Sequence, residues 1–320
     1  MDTVSWVLLL CLAVLFYVVC SLFLLRYPLI LHKRKRLEFY CRHISHRGGS
    51  GERIENTMEA FTHAVSAGTD MLEMDCHLTL DGYVVVSHDN NLLRQTGDDK
   101  TVSSLKFQDL PLYEEKLEVT FYVGHYSTGK DRRFVLLENV LKNFPNMPMT
   151  LEIKENNDLL IKKVSNLVHK YGREHITVWA SEEHEVMAKC LKQNPSMPYM
   201  FTMRRVIMLL LLFYTGLLPF VPLGESVLMF YLPRIINRTY IPEEAYMKNR
   251  FVVYLLQKLI TWKSLFEHLI KRGLQVQLFV CNEETDMAAA FAMGATGVMT
   301  DYPTVLSDYI RKHPPPPAVY

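Results

Sequence analysis

Residues 43–75, HISHRGGSGERIENTMEAFTHAVSAGTDMLEMD, decide the fold. Residues 43–46 read as a short strand. From 57 to 67 the apolar side chains Met58, Phe61, Ala64 and Val65 recur at helical spacing, and Gly68 follows as a stop. Residues 71–75, MLEMD, read as a second strand. Strand, helix and strand in succession make a βαβ unit, whose strands lie parallel.

The alternation continues outward. Further strands are predicted at 84–88, 150–153, 176–179, 199–201, 276–280 and 297–300, and further helices at 138–143, 159–171, 183–193, 248–271 and 284–293. In 159–171, Leu160, Val164, Leu167 and Val168 share one face, and Gly172 follows. Roughly eight strands spread over about 270 residues fit a TIM (β/α)8 barrel, an α/β fold that typically takes about 250. A doubly wound open sheet is the alternative. No G-x-G-x-x-G follows the first strand, which disfavours a dinucleotide site.

The chain has 320 residues, 49% of them apolar and 22% charged, with a formal net charge of +1. Such a chain can bury a large core and has no bulk polyelectrolyte partner. Nucleic acid is excluded as a partner, since the longest cationic block is Lys33 to Arg36 and no aromatic residues interleave it. The six cysteines form no CxxC pair and are expected to be free thiols.

Residues 3–25 carry no charge, and the cations come after them, at Arg26, Lys33, Arg34, Lys35 and Arg36. That length and order predict an uncleaved transmembrane helix. The positive-inside rule then places residue 26 onward on the cytoplasmic side. The sequon Asn237-Arg238-Thr239 points the other way, to a lumenal face. A second apolar run, 206–223, is interrupted by Gly216, Pro219 and Pro222. A span there would put residues 43–205 and 224–310 on opposite sides of a bilayer and split one fold. The run is therefore read as a helix-and-turn insertion that dips into one leaflet or lines a lipid cleft, an ordinary buried helix being the alternative. The expected organisation is an anchor and basic flank at 1–36, a barrel at 37–312 with its hydrophobic insertion at 204–224, and an extended Pro-rich tail at 313–320.

The predicted strands share one habit: they end in polar groups. The first ends in His46-Arg47, the second carries Glu73 and Asp75, and the third ends in His88-Asp89. The fourth, LEIK, carries Glu152 and Lys154, and the last ends in Thr300-Asp301. Buried carboxylates are costly unless paired or bound to a cation. Glu73 and Asp75, two apart, share a face. In a barrel, strand C-termini converge on one mouth, so these two and Glu152 surround one point. Oxygen donors alone favour a hard cation, Mg²⁺ or Ca²⁺. His46 and His88 at the same mouth suit an acid and a base. Arg47 and Lys154 suit anionic phosphate oxygens. Gly48 and Gly49 allow the backbone to turn close to a ligand. Asn56 is expected to cap the first barrel helix and Glu55 to join the metal shell. The set suits phosphoryl chemistry. With no Gly-x-Ser-x-Gly elbow and no P-loop, serine hydrolases and nucleotide kinases are disfavoured.

HRG with a following ENT, then EMD, SHD, LEIK and VMTDYP, in this order and spacing, resembles the glycerophosphodiester phosphodiesterase family over roughly residues 42–310. With the anchor, HKRKR and the second apolar run, the chain looks like that family's membrane-anchored lysophospholipase D branch. The resemblance implies a TIM barrel with a divalent cation on Glu73, Asp75 and Glu152, and His46 and His88 as the acid–base pair. It implies phosphate binding by Arg47 and Lys154, with Glu55 in support. The family usually has a tryptophan in the strand at 276–280; FVCN stands there, with Phe279 at or next to the aromatic position. The expected substrate is a membrane lysophospholipid cleaved on the headgroup side of phosphate, at endoplasmic-reticulum or perinuclear membranes. Deacylated glycerophosphodiesters are the alternative substrates. A non-catalytic lysolipid-binding barrel, a phospholipase C that cuts the other ester bond and a structural anchor are the competing functions.

Overall fold

The computed structural model describes residues 3–314. The chain begins with α1 (Thr3–Arg26), whose apolar side chains are largely exposed. It then enters β1 (His43–Ser45), α2 (Met58–Ser66) and β2 (Met71–Leu78), the βαβ unit expected from the sequence. The Thr57 hydroxyl caps α2, accepting from the Ala60 amide at 3.2 Å, and Ala60, Phe61 and Ala64 form its buried face. In β2, Leu72, Met74 and Cys76 join the main hydrophobic core, and Glu73, Asp75 and His77 alternate with them.

An excursion follows β2, made of β3 (Val84–Val86), α3 (Leu93–Thr96), a hairpin of β4 (Lys116–Glu118) and β5 (Tyr126–Thr128), and β6 (Val135–Leu136). β3 runs antiparallel to the far half of β2, and β6 antiparallel to β3. The chain then resumes its alternation with α4 (Leu137–Asn143), β7 (Met149–Ile153), α5 (Asp158–Lys170), β8 (Thr177–Ala180) and α6 (His184–Gln193). After α7 (Met203–Tyr214) come β9 (Val227–Tyr231), α8 (Arg250–Ile260), α9 (Lys263–Lys271), β10 (Gln275–Phe279), α10 (Glu284–Ala292), β11 (Gly297–Thr300) and α11 (Pro303–Lys312).

Eight parallel rungs close the barrel. β1 lies between β11 and β2, β2 pairs β7, and β7 pairs β8. The fifth rung is two single bridges, Trp179 to Tyr199 and Met200 to Val227, where the sequence predicted a strand at 199–201. β9 pairs β10, and β10 pairs β11. The fold is the expected TIM barrel, with three corrections. The strand expected at 84–88 is β3, which runs antiparallel to β2 outside the eight parallel rungs, so His88 reaches the mouth from the loop after it. β9, VLMFY, is a full strand that the sequence reading passed over. The helix expected at 248–271 is two helices broken at Thr261 and Trp262. α9 buries Leu265, Phe266 and Leu269 in the barrel, whereas α8 buries Val253 and exposes Phe251, Tyr254, Leu255 and Leu259.

Among the described residues, α1 is the one helix long and apolar enough to cross a membrane. α7, with 12 residues, is about 18 Å long, short of the ~30 Å hydrocarbon core. The two meet. The Tyr17 hydroxyl donates to Thr215 O and the Ser21 hydroxyl to Gly216 O, both at 2.6 Å. Gly216 has φ +77°, and a Cβ there would lie 2.8 Å from the Ser21 oxygen, so this close approach requires glycine. Arg26 pairs with Glu267 of α9 at 3.0 Å. Lys35 spends its ammonium inside the fold, donating to Gly224 O, Glu225 O and the Ser226 hydroxyl. All six cysteines are free thiols, four of them buried. Of the tail expected at 313–320, residues 315–320 lie outside the described residues.

Candidate active site at the barrel mouth

The register of β2 against β7 sets the acidic cluster. Glu73 lies beside Thr150 and Asp75 beside Glu152. One carboxylate oxygen from each of Glu73, Asp75 and Glu152 falls within 4.8 Å of the others. Glu73 and Asp75 are buried and Glu152 is half-buried. Lys154 places Nζ 2.8 Å from Glu152 Oε1 and 3.1 Å from Asp75 Oδ1. Burial, then Asp75, then Glu152, hold the Glu73 carboxyl well above the ordinary carboxylate range. Burial also works to raise Asp75, but Lys154, His88 and Arg47 outweigh it and keep it low. Three crowded carboxyl groups with oxygen donors alone fit a hard divalent cation, whose charge removes their repulsion.

β1 leads into a tight turn at His46–Gly48. Arg47 has φ +50°, Gly48 +77° and Gly49 +92°. A Cβ at Gly48 would meet Phe61 at 2.7 Å, and one at Gly49 would meet Pro303 at 2.7 Å. A left-handed arginine is uncommon and costs about 1–3 kcal/mol. The turn aims the Arg47 amide at Glu73 Oε2, 2.9 Å away. The buried Arg47 guanidinium pairs with Glu55 at 3.0 Å and lies 3.9 Å from Asp75.

Each of the two histidines is held through Nδ1 by a carboxylate. His46 Nδ1 lies 2.6 Å from Asp301 Oδ1, at the end of β11. Asp301 is fully buried and also accepts from Asn282 Nδ2 at 2.8 Å and from the Ser50 hydroxyl. His88 Nδ1 lies 2.5 Å from Asp89 Oδ1, and Arg94 Nε braces the other Asp89 oxygen at 2.6 Å. Burial and the Arg47 charge push His88 below the ordinary imidazole range, with Asp75 and Asp89 opposing them. This pairing leaves each Nε2 as the free nitrogen.

The mouth encloses a cavity of ≈ 190 Å³, lined by His46, Arg47, Glu73, Asp75, His88, Glu152 and Lys154. Two sequence expectations need correction. Asn56 does not cap α2: Thr57 does, and Asn56, at φ +56°, points its amide at Asp75, 3.4 Å away. Glu55 is not in the carboxylate cluster. It is the buried counter-ion of Arg47 and Arg94, taking Nη2 of Arg94 at 2.5 Å and Gln95 Nε2 at 2.9 Å. Burial works to raise its carboxyl, but Arg94 and Arg47 drive it well below the usual range. Sequence reasoning gave no role to Asp301 or Asp89. Each stood at a strand end beside a noted residue, in TDYP and SHD, and that position was the signal.

The cavity also takes in Phe121, from the β4–β5 hairpin, and Tyr231, Tyr240 and Phe279. The Phe121 ring stands edge-on to His46, with centroids 5.3 Å apart.

Residues 46–305 match the Glycerophosphoryl diester phosphodiesterase family. The chain belongs to that family. It is 50% identical to human "Lysophospholipase D GDPD1" over 92% of this chain and 94% of the relative. It is also 50% identical to human "Lysophospholipase D GDPD3" over 93% of this chain and 94% of the relative. Among solved structures, the glycerophosphoryl diester phosphodiesterase domain of a Mycobacterium tuberculosis protein superposes with a TM-score of 0.62 at 17% identity, covering 84% of this chain and 99% of that one. A phosphodiesterase from Oleispira antarctica, in complex with its product sn-glycerol-3-phosphate, gives 0.55 at 17% identity, covering 85% and 97%. At these identities the structures speak for the barrel alone. Membership of the family makes the chain a hydrolase of phosphoric diesters.

Proposed function

We propose that this phosphodiesterase is a metal-dependent lysophospholipase D. It would hydrolyse lysophosphatidylcholine, lysophosphatidylethanolamine and N-acyl-lysophosphatidylethanolamine to lysophosphatidic acid and the free headgroup alcohol. The observation that carries the proposal is one mouth holding the Glu73, Asp75 and Glu152 cluster together with two carboxylate-held histidines, in a chain led by an apolar helix. Glu73, Asp75 and Glu152 would hold Mg²⁺ or Ca²⁺, which when bound neutralises charge on the phosphate oxygens. Arg47 and Lys154 orient the phosphate.

A lysophospholipid has a free glycerol hydroxyl beside its phosphate. One imidazole takes the proton from that hydroxyl, and the oxygen attacks phosphorus. The P–O bond to the headgroup breaks, and the other imidazole protonates the departing alcohol. Water then opens the cyclic phosphate with the two rings in exchanged roles. Proximity favours this internal route over direct attack by water. His88, whose affinity for a proton is depressed by burial and by the Arg47 charge, suits the first deprotonation.

The substrate is fixed in a bilayer by its chain, and α1 places the enzyme there, raising the effective concentration of each for the other. The cations after α1 favour a cytoplasmic barrel, as on endoplasmic-reticulum or perinuclear membranes. The engagement of Asn237 Nδ2 with Met247 O, at 2.9 Å, supports that side over a glycosylated, lumenal one. The test is a lysolipid panel assayed for free headgroup with the full chain in detergent, with and without chelator, and with His46→Ala. Free choline or ethanolamine that disappears with chelator and with the substitution is expected. Release of phosphocholine instead, or no lysolipid turnover beside intact hydrolysis of glycerophosphocholine, would sink the proposal.

A further inference from the structure

The mouth has two unlike sectors. Going round the barrel, β1, β2 and β7 with the turns that follow them carry His46, Arg47, Glu73, Asp75, Glu152 and Lys154, and His88 reaches in from the loop after β3. The next rungs but one, 199–200, β9 and β10, contribute Met200, Met229, Tyr231 and Phe279 to the same cavity. Tyr240, from the loop after β9, closes over them. Its ring lies 5.6 Å from Tyr231 at 6° and 4.5 Å from Phe121, and Tyr231 lies 4.4 Å from Phe279. A cavity wall of four rings and two thioethers is an apolar surface with adaptable shape.

The segments that leave these rungs also carry the exposed apolar surface. α7 follows rung 199–200 and exposes Ile207, Met208 and Leu211. α8 follows β9 and exposes Phe251, Tyr254, Leu255 and Leu259. The two are joined, because Tyr214 at the end of α7 donates to Leu259 O at 2.8 Å and accepts from Trp262 Nε1 at 2.7 Å. α7 and the turn after it pack against α1 through Thr215, Gly216 and the Tyr17–Phe220 ring pair. The loop that holds Tyr240 is tied to the approach to α8 by Asn237 Nδ2 on Met247 O. The apolar wall and the two apolar helices thus belong to neighbouring rungs on one side of the barrel, and α1 joins that side through the segments that lead into β9 and β10.

Building on the lysolipid reading, we infer that this methionine–aromatic sector holds the first methylenes of the substrate's hydrocarbon chain. The headgroup alcohol departs from the charged side. Tyr240 and Met229 then set the preference for a chained substrate over a chainless one. The competing occupant of an aromatic wall is a cationic headgroup, drawn to ring faces. The carboxylates of Glu182, Glu243 and Glu244 do act on the Tyr240 hydroxyl. Glu182, however, stands beyond β8, at the border with the charged sector, and Met200 and Met229 offer a cation nothing. Continuity with the exposed apolar faces of α7 and α8 decides for the chain.

The test uses the full chain in detergent and lysophosphatidylcholines from butanoyl to decanoyl, short enough to be monomeric, beside chainless glycerophosphocholine. In the wild type kcat/KM should climb with chain length, roughly fourfold for each methylene taken up, until the sector is filled. In Tyr240→Ala and in Met229→Ala that slope should flatten, and the ratio of decanoyl to chainless substrate should fall about tenfold. Tyr240→Phe, which keeps the ring, should keep the slope. Should Tyr240→Ala fail to fold, Met229→Ala reads the same slope. An unchanged slope in the folded variants overturns the inference. So does a shift confined to choline against an uncharged glycerol headgroup at constant chain. Failure of the wild type to cleave any chained substrate would instead defeat the lysophospholipase reading itself.

Discussion

The two sectors of the mouth are held together by opposite means. In the charged sector every group is fixed by a partner: Asp301 on His46, Asp89 on His88, Lys154 on Asp75 and Glu152, Arg47 on Glu55. Removing one partner leaves another group buried and unpaired. In the apolar sector Tyr231, Tyr240 and Phe279 touch through ring faces and edges and Met229 lines the same wall, where lost area is the main cost. The chemistry therefore tolerates little change on one side, and substrate choice can drift on the other. Single substitutions should cost about tenfold to a thousandfold in overall rate in the first sector, and in the second about tenfold at most, read as a change of substrate preference.

The largest effect belongs to the acidic cluster. Glu73→Gln keeps the side chain's shape but removes a charge from the group of three. We expect kcat/KM to fall about a thousandfold, with the divalent-cation concentration for half-maximal activity shifted upward. An activity that survives both this change and chelation would break the contrast between the sectors at its centre.

The two histidine braces sharpen the contrast from within. Asp301 is fully buried and held by Asn282 and Ser50, so Asp301→Asn should cost about a hundredfold, by releasing His46 from its orientation. Asp89 is partly exposed, and Arg94 stays at its side, so Asp89→Asn should cost only about tenfold. The second variant carries a further signature. The Asp89 hydrogen bond raises the proton affinity of His88 against burial and Arg47, so its loss must lower that affinity further. Protonated His88 cannot accept a proton. The acid limb of the pH–rate profile should therefore move to lower pH in Asp89→Asn, and a limb that moves upward would contradict the role given to His88.

Much of this was legible in the sequence, and what was not has a physical reason. The barrel could be read because Met58, Phe61, Ala64 and Val65 repeat at helical spacing between strands that end in polar groups. The acidic cluster could be read because carboxylates two apart in an apolar strand have no ordinary explanation. β9 was hidden because VLMFY continues the apolar tone of 206–223, and only Gly224 and Pro233 mark its ends. The break between α8 and α9 was hidden because both halves are amphipathic. Only the packing separates a helix that buries Leu265, Phe266 and Leu269 from one that exposes Phe251 and Leu255. Asn56 looked like a cap because asparagine commonly is one, but its left-handed backbone hands that role to Thr57. The apolar wall gathers Phe121, Met229, Tyr240 and Phe279 from separate loops and strands, and periodicity carries no record of such a meeting.

The smallest effect tests how far the apolar sector extends. Phe251 and Leu255 on α8 are exposed and lie outside the cavity. Phe251→Ser with Leu255→Ser removes exposed apolar surface from that helix, so the melting temperature in detergent should fall by no more than about 3 °C. If α8 lies against lipid beside α1, the double variant should lose about three- to fivefold in turnover of long-chain lysophosphatidylcholine presented in bilayer vesicles. Monomeric short-chain substrate should be cleaved at close to the wild-type rate, because α1 still anchors the chain and the mouth is unchanged. Equal losses on both substrates would place α8 inside the catalytic fold, and no loss on either would show that α8 makes no contact with the membrane.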